Sequence, residues 1–157
     1  VRSMSEALTY EDYLDAYGSL TYTVVGVSML PLLRQGRDLF TVTPKGSERC
    51  RVGEVVLYRR PPSHYVLHRV VEVRDGGYLI LGDNCLNREW VPESDIIAVM
   101  CSFVRKGHEY GVDCLWYRAY TWFWVHAEHQ RVTLWRAGSM LKRLVAPTLP
   151  ARRFRHR

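Results

Sequence analysis

Seven short segments with the composition of β-strands follow one another through the middle of the chain and constrain its fold more than any other feature. Each is rich in β-branched and aromatic residues, and turn-forming residues separate it from the next. They span residues 20–27, 38–43, 54–58, 65–73, 78–81, 96–104 and 108–112. Asp75-Gly76-Gly77 predicts a hairpin between the fourth and fifth segments. Because residues 28–103 carry almost no helical periodicity, the sequence predicts a mainly β unit.

Helical patterns flank this β-unit on both sides. Residues 5–17 predict a short helix, with Ser5 as its N-cap, acidic residues in its first turns and Gly18 at its end. From about residue 115 an aromatic cluster leads into a stretch rich in Ala, Leu, Arg and Lys, which predicts one or two further helices. We therefore expect an N-terminal helix (1–19), a β-domain (20–113) and an aromatic, basic helical extension (114–157).

The charge of the chain is uneven. The 157 residues include 22 Lys or Arg and 16 Asp or Glu, a net charge of +6, and the tail from Lys142 onward is almost purely basic. Such a tail is most often a solvated segment, and its alternative is binding to an anionic partner such as a membrane surface. The tryptophan-rich cluster at 116–124 likewise predicts either a packing surface or, together with the tail, a peripheral membrane contact through residues 116–157.

Neither the cysteines nor the apolar runs predict a secreted or membrane-spanning protein. Cys50, Cys85, Cys101 and Cys114 include no CxxC pair, so their spacing favours reduced thiols over a zinc site or a disulfide framework. No run reaches the ~18 apolar residues that cross a bilayer, and the first residues do not have the pattern of a secretory signal. A cytoplasmic or membrane-peripheral location is the expectation.

Four local patterns stand in a fixed order within the β-unit. They are GVSMLP at 26–31, GEVVLY at 53–58, VLHRVV at 66–71 and LGDN at 81–84. The first is a strand that breaks at a glycine just before Ser28. The third sets His68 within an apolar strand, and the fourth places Asp83 at a strand end.

This order of motifs resembles that of the signal-peptidase and LexA-type serine peptidases, over about residues 20–100. The resemblance implies their shared β-rich fold and makes Ser28 the nucleophile. Bacterial signal peptidases and LexA-like proteins have a lysine as the base, whereas the endoplasmic-reticulum and archaeal type has a histidine in a His-Arg-Val context. His68 stands in such a context, and no lysine lies between Lys45 and Lys106. We therefore expect the histidine branch, with His68 as the general base.

The chemistry of these groups supports the assignment. A serine hydroxyl attacks a carbonyl well only when a neighbouring base takes its proton. An imidazole does this with an ionisation at about pH 6–7, and a carboxylate on its far nitrogen fixes the tautomer. For that carboxylate the resemblance offers Asp83 and, about six residues on, Glu89, where Arg88-Glu89 replaces the Asp-Asp pair of the family. Asp83 is the favoured candidate and Glu89 the weaker one.

The oxyanion site is expected to consist of backbone groups. Gly26 and Pro31 let the chain bend so that the Ser28 hydroxyl projects into a cleft, and the Ser28 amide is the natural donor, with Gly26 and Met29 as positioning residues. Gly26 stands where many signal peptidases have a hydroxyl residue, two positions before the nucleophile. The sequence also departs from those enzymes in showing no transmembrane helix before Ser28.

The function implied by the resemblance is a serine endopeptidase that cleaves signal or leader peptides through an acyl-enzyme, with neither metal nor cofactor. Its substrate is expected to lie extended beside a sheet edge. Two alternatives are a LexA-like regulator that cleaves itself and a non-catalytic peptide-binding module of the same fold. Nucleic acid is not an expected partner, since no helix-turn-helix precedes the β-unit and the N-terminal helix is acidic.

Taken singly, each of these features has a purely structural explanation. A histidine inside an apolar strand is more often a half-buried structural residue. Strand alternation places His68 on the face of Val66 and Val70. Arg69 then lies on the other, mostly apolar face, where it needs a carboxylate or an exposed edge.

Two patterns in the C-terminal extension compete weakly with this site. His126 and His129 lie one helical turn apart, but they lack the HExxH pattern and a third metal ligand. Ser139-Met140 repeats the Ser28-Met29 pair without the following proline. We expect a solvated helix face at the first and no nucleophile at the second.

Overall fold

Within the residues that the structure describes, eight antiparallel strands form one sheet. The structure is a computed structural model, and it describes residues 9–128, 130, 131, 133, 134 and 137. The strands are β1 (Leu20–Thr23), β2 (Leu39–Pro44), β3 (Val55–Arg60), β4 (His64–Arg74), β5 (Gly77–Leu81), β6 (Glu89–Pro92), β7 (Ile96–Arg105) and β8 (His108–Gly111). Their order is β1-β2-β7-β3-β4-β5-β6, and β8 pairs with β7. The helices are α1 (Tyr10–Tyr17), a 3-10 turn (Glu93–Asp95) and α2 (Leu115–His126). The predicted mainly β fold with a helix on either side is confirmed.

The strands differ from the sequence prediction at two places. β1 ends at Thr23 instead of continuing to Val27, because Gly26 takes a left-handed φ of +82° that a strand cannot accommodate. β6 is not predicted from sequence, since its four residues end in a proline and are too few for a clear period. Its pairing with β5 creates it.

Both faces of the central strands are covered by side chains. In β3, Val55 and Leu57 belong to one core cluster, whereas Val56 and Tyr58 belong to the other. The antiparallel register sets His68 of β4 opposite Val56. His68 therefore lies on the Tyr58 face of the sheet, in agreement with the alternation read from the sequence.

The N-terminal helix begins later than predicted. Thr9 is its N-cap, with the Asp12 amide donating to Thr9 Oγ1 at 3.1 Å and the Thr9 amide donating to the Asp12 carboxylate at 3.2 Å. Gly18 ends the helix, as predicted, with a left-handed φ of +72°. Ser5, the predicted cap, lies outside the described residues.

The chain divides into two units, one ending at Val125 and the other beginning at His126. The first contains the sheet and most of α2, so it extends beyond the β-domain that the sequence places at 20–113. In the second, the described positions are mostly helical. No helix in the described part of the chain is both long and apolar enough to cross a membrane. All four cysteines are free thiols.

Candidate active site

Ser28 lies in a turn that follows β1. The amide of Gly26, just before it, donates to Gln35 Oε1 at 2.7 Å. Just after it, the Met29 carbonyl accepts from the Leu33 amide at 2.9 Å. The Met29 side chain is buried in the core, and Ser28 lines a cleft beside it. The buried Met29 side chain therefore fixes the turn in the core, while Ser28 lines the cleft.

The cleft that Ser28 lines has a volume of about 770 Å³. Buried apolar side chains, including Met29 and Leu57, form part of its wall. Ser28, His68 and Glu89 contribute polar groups to the same cleft. An apolar cleft with a few convergent polar groups is typical of a ligand or substrate site.

The register of β3 against β4 brings Tyr58 to His68. His68 pairs with Val56, and Tyr58, two residues along the same face of β3, is its diagonal neighbour. The Tyr58 hydroxyl lies 3.3 Å from His68 Nδ1 and donates to Glu89 Oε2 at 2.8 Å. Arg60 donates to the Tyr58 hydroxyl at 3.0 Å and also pairs with Glu89. A chain of hydrogen bonds thus joins His68 to Glu89 through Tyr58.

The proton on Tyr58 determines which nitrogen of His68 is protonated. Burial raises the pKa of Tyr58 and the bond to Glu89 raises it further, so the hydroxyl keeps its proton. Burial also raises the pKa of Glu89, but hydrogen bonds from Arg60 and Tyr58 outweigh it and hold that pKa below its ordinary value. The ionised carboxylate can only accept, so the tyrosine hydrogen goes to Glu89. The Tyr58 oxygen then accepts a hydrogen from His68 Nδ1, and Nε2 is the unprotonated nitrogen.

Nε2 of His68 faces the loop that follows β5. A Cβ added to Gly82 would lie 2.9 Å from His68 Nε2 and 2.9 Å from the Ser28 carbonyl oxygen. A side chain at this position would therefore collide with both groups. The Asn84 amide donates to the Ser28 carbonyl at 2.8 Å, and the Asn84 side chain donates to the Val27 carbonyl at 3.2 Å. The loop thus holds the Ser28 turn next to the imidazole.

Ser28 and His68 share the cleft without a direct bond. Within residues 9–128, no hydrogen bond joins the Ser28 hydroxyl to the imidazole. In the same range the amides of Ser28 and Met29 donate to no protein acceptor. Catalytic hydrogen bonds are often long before substrate binds. Ser28 and His68 therefore line the cleft without a bond between them, and the two amides have no protein acceptor in that range.

The environment of His68 changes its basicity. Burial lowers the pKa of His68 to about 4, and the positive charge of Arg60 adds to the decrease. Glu89 and Asp83 act in the opposite direction without compensating it. The ionisation that the sequence places near pH 6–7 is therefore expected lower, and the imidazole is neutral around pH 7. Neutral imidazole is the form that a general base requires.

Asp83 has a different partner from the one that the resemblance implies. Its carboxylate accepts from Arg69 Nε at 2.8 Å and from Arg69 Nη2 at 2.7 Å, and both side chains are about 1% exposed. Tyr120 donates to the same carboxylate at 2.8 Å. Asp83 is thus the carboxylate that strand alternation requires for Arg69. The chain of hydrogen bonds that reaches His68 starts instead from Glu89.

The predicted residues fall into two groups in the structure. The cleft contains Ser28, Met29, His68 and Glu89. Gly26 shapes the turn before Ser28, and Asp83 anchors the loop behind it. Sequence reasoning missed Tyr58 and Asn84, although both lie inside quoted motifs. Only the strand register and the loop contacts reveal what they touch.

The structure also bears on the weaker hypotheses. Among the described residues, no group of three or more His, Cys, Asp or Glu side chains is arranged to hold a metal ion. His129, Ser139 and the basic tail from Lys142 lie outside those residues.

Comparison of this chain with protein-family models and with curated proteins finds no match. The resemblance to signal-peptidase and LexA-type enzymes thus stays a prediction from the motifs. The function is inferred from the geometry of the cleft.

Proposed function

We propose that this protein is a serine endopeptidase of the signal-peptidase type, in which Ser28 is the nucleophile and His68 the general base. The observation that carries the proposal is the convergence of His68 Nε2 and the Ser28 carbonyl on Gly82, beside a cleft that both side chains line. The nitrogen on this side is the one that the hydrogen bond to Tyr58 leaves unprotonated. A nucleophile needs a base of this kind within reach.

The proposed reaction passes through an acyl-enzyme. The Ser28 oxygen bonds to the substrate carbonyl carbon while His68 Nε2 takes the hydroxyl proton. The amides of Ser28 and Met29, which donate to no other group in residues 9–128, are available to the oxyanion. Nε2 gives the proton to the leaving amine as the C–N bond breaks. Water then attacks the ester and gives a proton to Nε2, and Nε2 passes that proton to the Ser28 oxygen as the acyl C–O bond breaks.

The proposed orienting groups are Tyr58 and Glu89. Tyr58 holds Nδ1 of His68, and Glu89 holds Tyr58. When Nε2 takes the proton from Ser28, the imidazole becomes positively charged. The carboxylate charge of Glu89 favours that form, as its effect on the His68 pKa indicates.

The proposed substrate is an extended segment of a signal or leader peptide. Among the described strands, β1 pairs with β2 alone, so its other edge offers free backbone groups. Residues 23–25, at and just after the end of β1, line the cleft. A peptide added beside this edge as a further strand would lead into the cleft that contains Ser28.

A fluorophosphonate probe, which reacts with activated serine hydroxyls, tests the proposal. We expect one adduct per chain, and peptide mapping should place it on Ser28. Ser139→Ala is the matched control, since Ser139 also precedes a methionine, and it should react like the parent. An adduct on Ser139 would contradict the nucleophile assignment. No adduct, with peptide binding retained, would favour the non-catalytic module.

Tyr58→Phe tests the orienting role of the tyrosine. Loss of the hydroxyl leaves Nδ1 without its acceptor, so the tautomer is no longer fixed. We expect kcat/KM to fall roughly 10- to 100-fold, less than the ~10⁴-fold seen where the wrong tautomer is imposed. Tyr78→Phe is the control, because Tyr78 is also buried but its hydroxyl accepts from the Cys50 amide. Equal activity losses in the two variants would count against a role specific to Tyr58.

A further inference from the structure

One face of α2 is turned toward the loop behind Ser28. Its contact residues recur at spacings of three and four, as on one side of a helix. They are Tyr117, Tyr120, Thr121 and Trp124. In contrast, Trp122 is 64% exposed and Phe123 is 53% exposed. The aromatic cluster in the sequence thus has two distinct faces.

The first target of this face is Arg69. Its Nη1 donates to the Thr121 hydroxyl at 3.1 Å and to the Tyr117 hydroxyl at 3.3 Å. The guanidinium lies over the rings of Tyr117 and Tyr120, at 5.7 and 5.6 Å from their centres. These contacts surround the buried guanidinium charge of Arg69. Its other two nitrogens, Nε and Nη2, donate to Asp83.

The second target is Asp83 itself, which α2 contacts twice. Tyr120 donates to the Asp83 carboxylate at 2.8 Å, and Trp124 Nε1 donates to the Asp83 backbone carbonyl at 3.0 Å. The two rings are stacked, with their centres 4.9 Å apart and their planes 17° apart. Side chain and backbone of one loop residue are therefore both held by the helix.

Asn84, the residue after Asp83, contacts the turn that contains Ser28. Asn84 binds the carbonyls of Ser28 and Val27 through its amide and its side chain. From these contacts we propose that Tyr120 and Trp124 are positioning residues for Ser28, acting through Asp83 and Asn84. The inference rests on the proposed function and extends it to α2. A displacement of about 1 Å at a reacting group can cost a factor of 10² in rate.

The test uses the full chain with Tyr120→Phe and Trp124→Phe combined, which removes both donors and keeps an aromatic ring at each position, a smaller one at 124. We expect the rate constant of fluorophosphonate reaction at Ser28 to fall about 10- to 100-fold. One adduct per chain should still form at long times, and KM should change little. If α2 only stabilised the fold, the double substitution would instead lower the fraction of chains that form the adduct and leave the rate constant of the remainder unchanged. Trp122→Phe, on the exposed side of α2, is the matched control and should react like the parent. The two single substitutions serve if the double variant does not fold.

Hydrogen exchange gives a readout that does not depend on activity. The Asn84 amide is bonded to the Ser28 carbonyl, so we expect it to exchange about 10-fold faster in the variant. The Val70 amide, which donates to the Glu54 backbone carbonyl just before β3, should be unaffected. Unchanged exchange at Asn84 would overturn the inference, whatever the reaction rate. A parent protein that the probe does not label would contradict the proposed function, and exchange at Asn84 would still decide the role of α2.

Discussion

Replacing His68 with alanine is expected to lower kcat/KM on a peptide substrate by at least about 10³-fold, because it removes the base that the proposed mechanism uses to take the Ser28 proton. The matched control is His108→Ala. His108 is exposed in β8 and does not line the cleft, so its loss should leave kcat/KM nearly unchanged. A His68→Ala variant that retains most of its activity would show that another residue is the base.

The pH dependence of the parent identifies the base independently. The proposed mechanism requires neutral His68, whose pKa burial lowers to about 4, so kcat/KM should rise as the pH increases through about 4 and then level off. Arg60 lowers this pKa and Glu89 raises it. Arg60→Gln should therefore move the limb to higher pH, and Glu89→Gln should move it to lower pH. A limb at pH 8–9, as commonly found with a lysine base, would exclude His68.

A decrease in pH is also expected to lower the free energy of unfolding through His68. In the unfolded chain His68 takes a proton as the pH falls below 6.5, whereas in the folded protein it stays neutral down to about 4. The unfolded state therefore binds more protons in this interval, and the free energy of unfolding decreases by about 3 kcal/mol as the pH falls across it. Circular dichroism at each pH separates this loss from the loss of activity. His68→Ala should remove this contribution.

The strands could be predicted because their signals are local. β-branched and aromatic residues, glycine turns and the two-residue period are properties of neighbouring residues. The same period places His68 and Arg69 on opposite faces of β4, and it correctly requires a carboxylate for Arg69. The short strand β6 escapes prediction because it depends on its pairing with β5.

The connections within the site could not be predicted in this way. Asp83 and Glu89 are both near His68 in the sequence pattern, and nothing local distinguishes their partners. Asp83 meets Arg69 because both side chains are buried where α2 covers the sheet. Glu89, at the start of β6, meets Tyr58 of β3 although two strands lie between β6 and β3 in the sheet. These are properties of register and of helix packing.

The second large effect concerns the buried pair. Asp83→Asn should lower the free energy of unfolding by about 3–5 kcal/mol, since it leaves the Arg69 charge buried without its counter-charge. Arg69→Met should have a similar effect, because it leaves the buried Asp83 carboxylate without its counter-charge. The double variant Arg69→Met with Asp83→Leu should lose less than the sum of the single losses, because no unpaired charge remains. Urea unfolding of the four proteins measures this.

Glu72→Gln is the control for these substitutions, because Glu72 pairs with Arg74 on the same strand at an exposed site. Exposed pairs contribute about 0–1 kcal/mol, so its stability should change little. The pH profile then distinguishes the two candidate acids. If Asp83 anchored His68 directly, Asp83→Asn would shift the activity limb strongly while stability changed by less than about 1 kcal/mol. The contacts of Asp83 predict the reverse, a large loss of stability with a limb that moves to lower pH by less than in Glu89→Gln, because Asp83 raises the pKa of His68 less than Glu89 does.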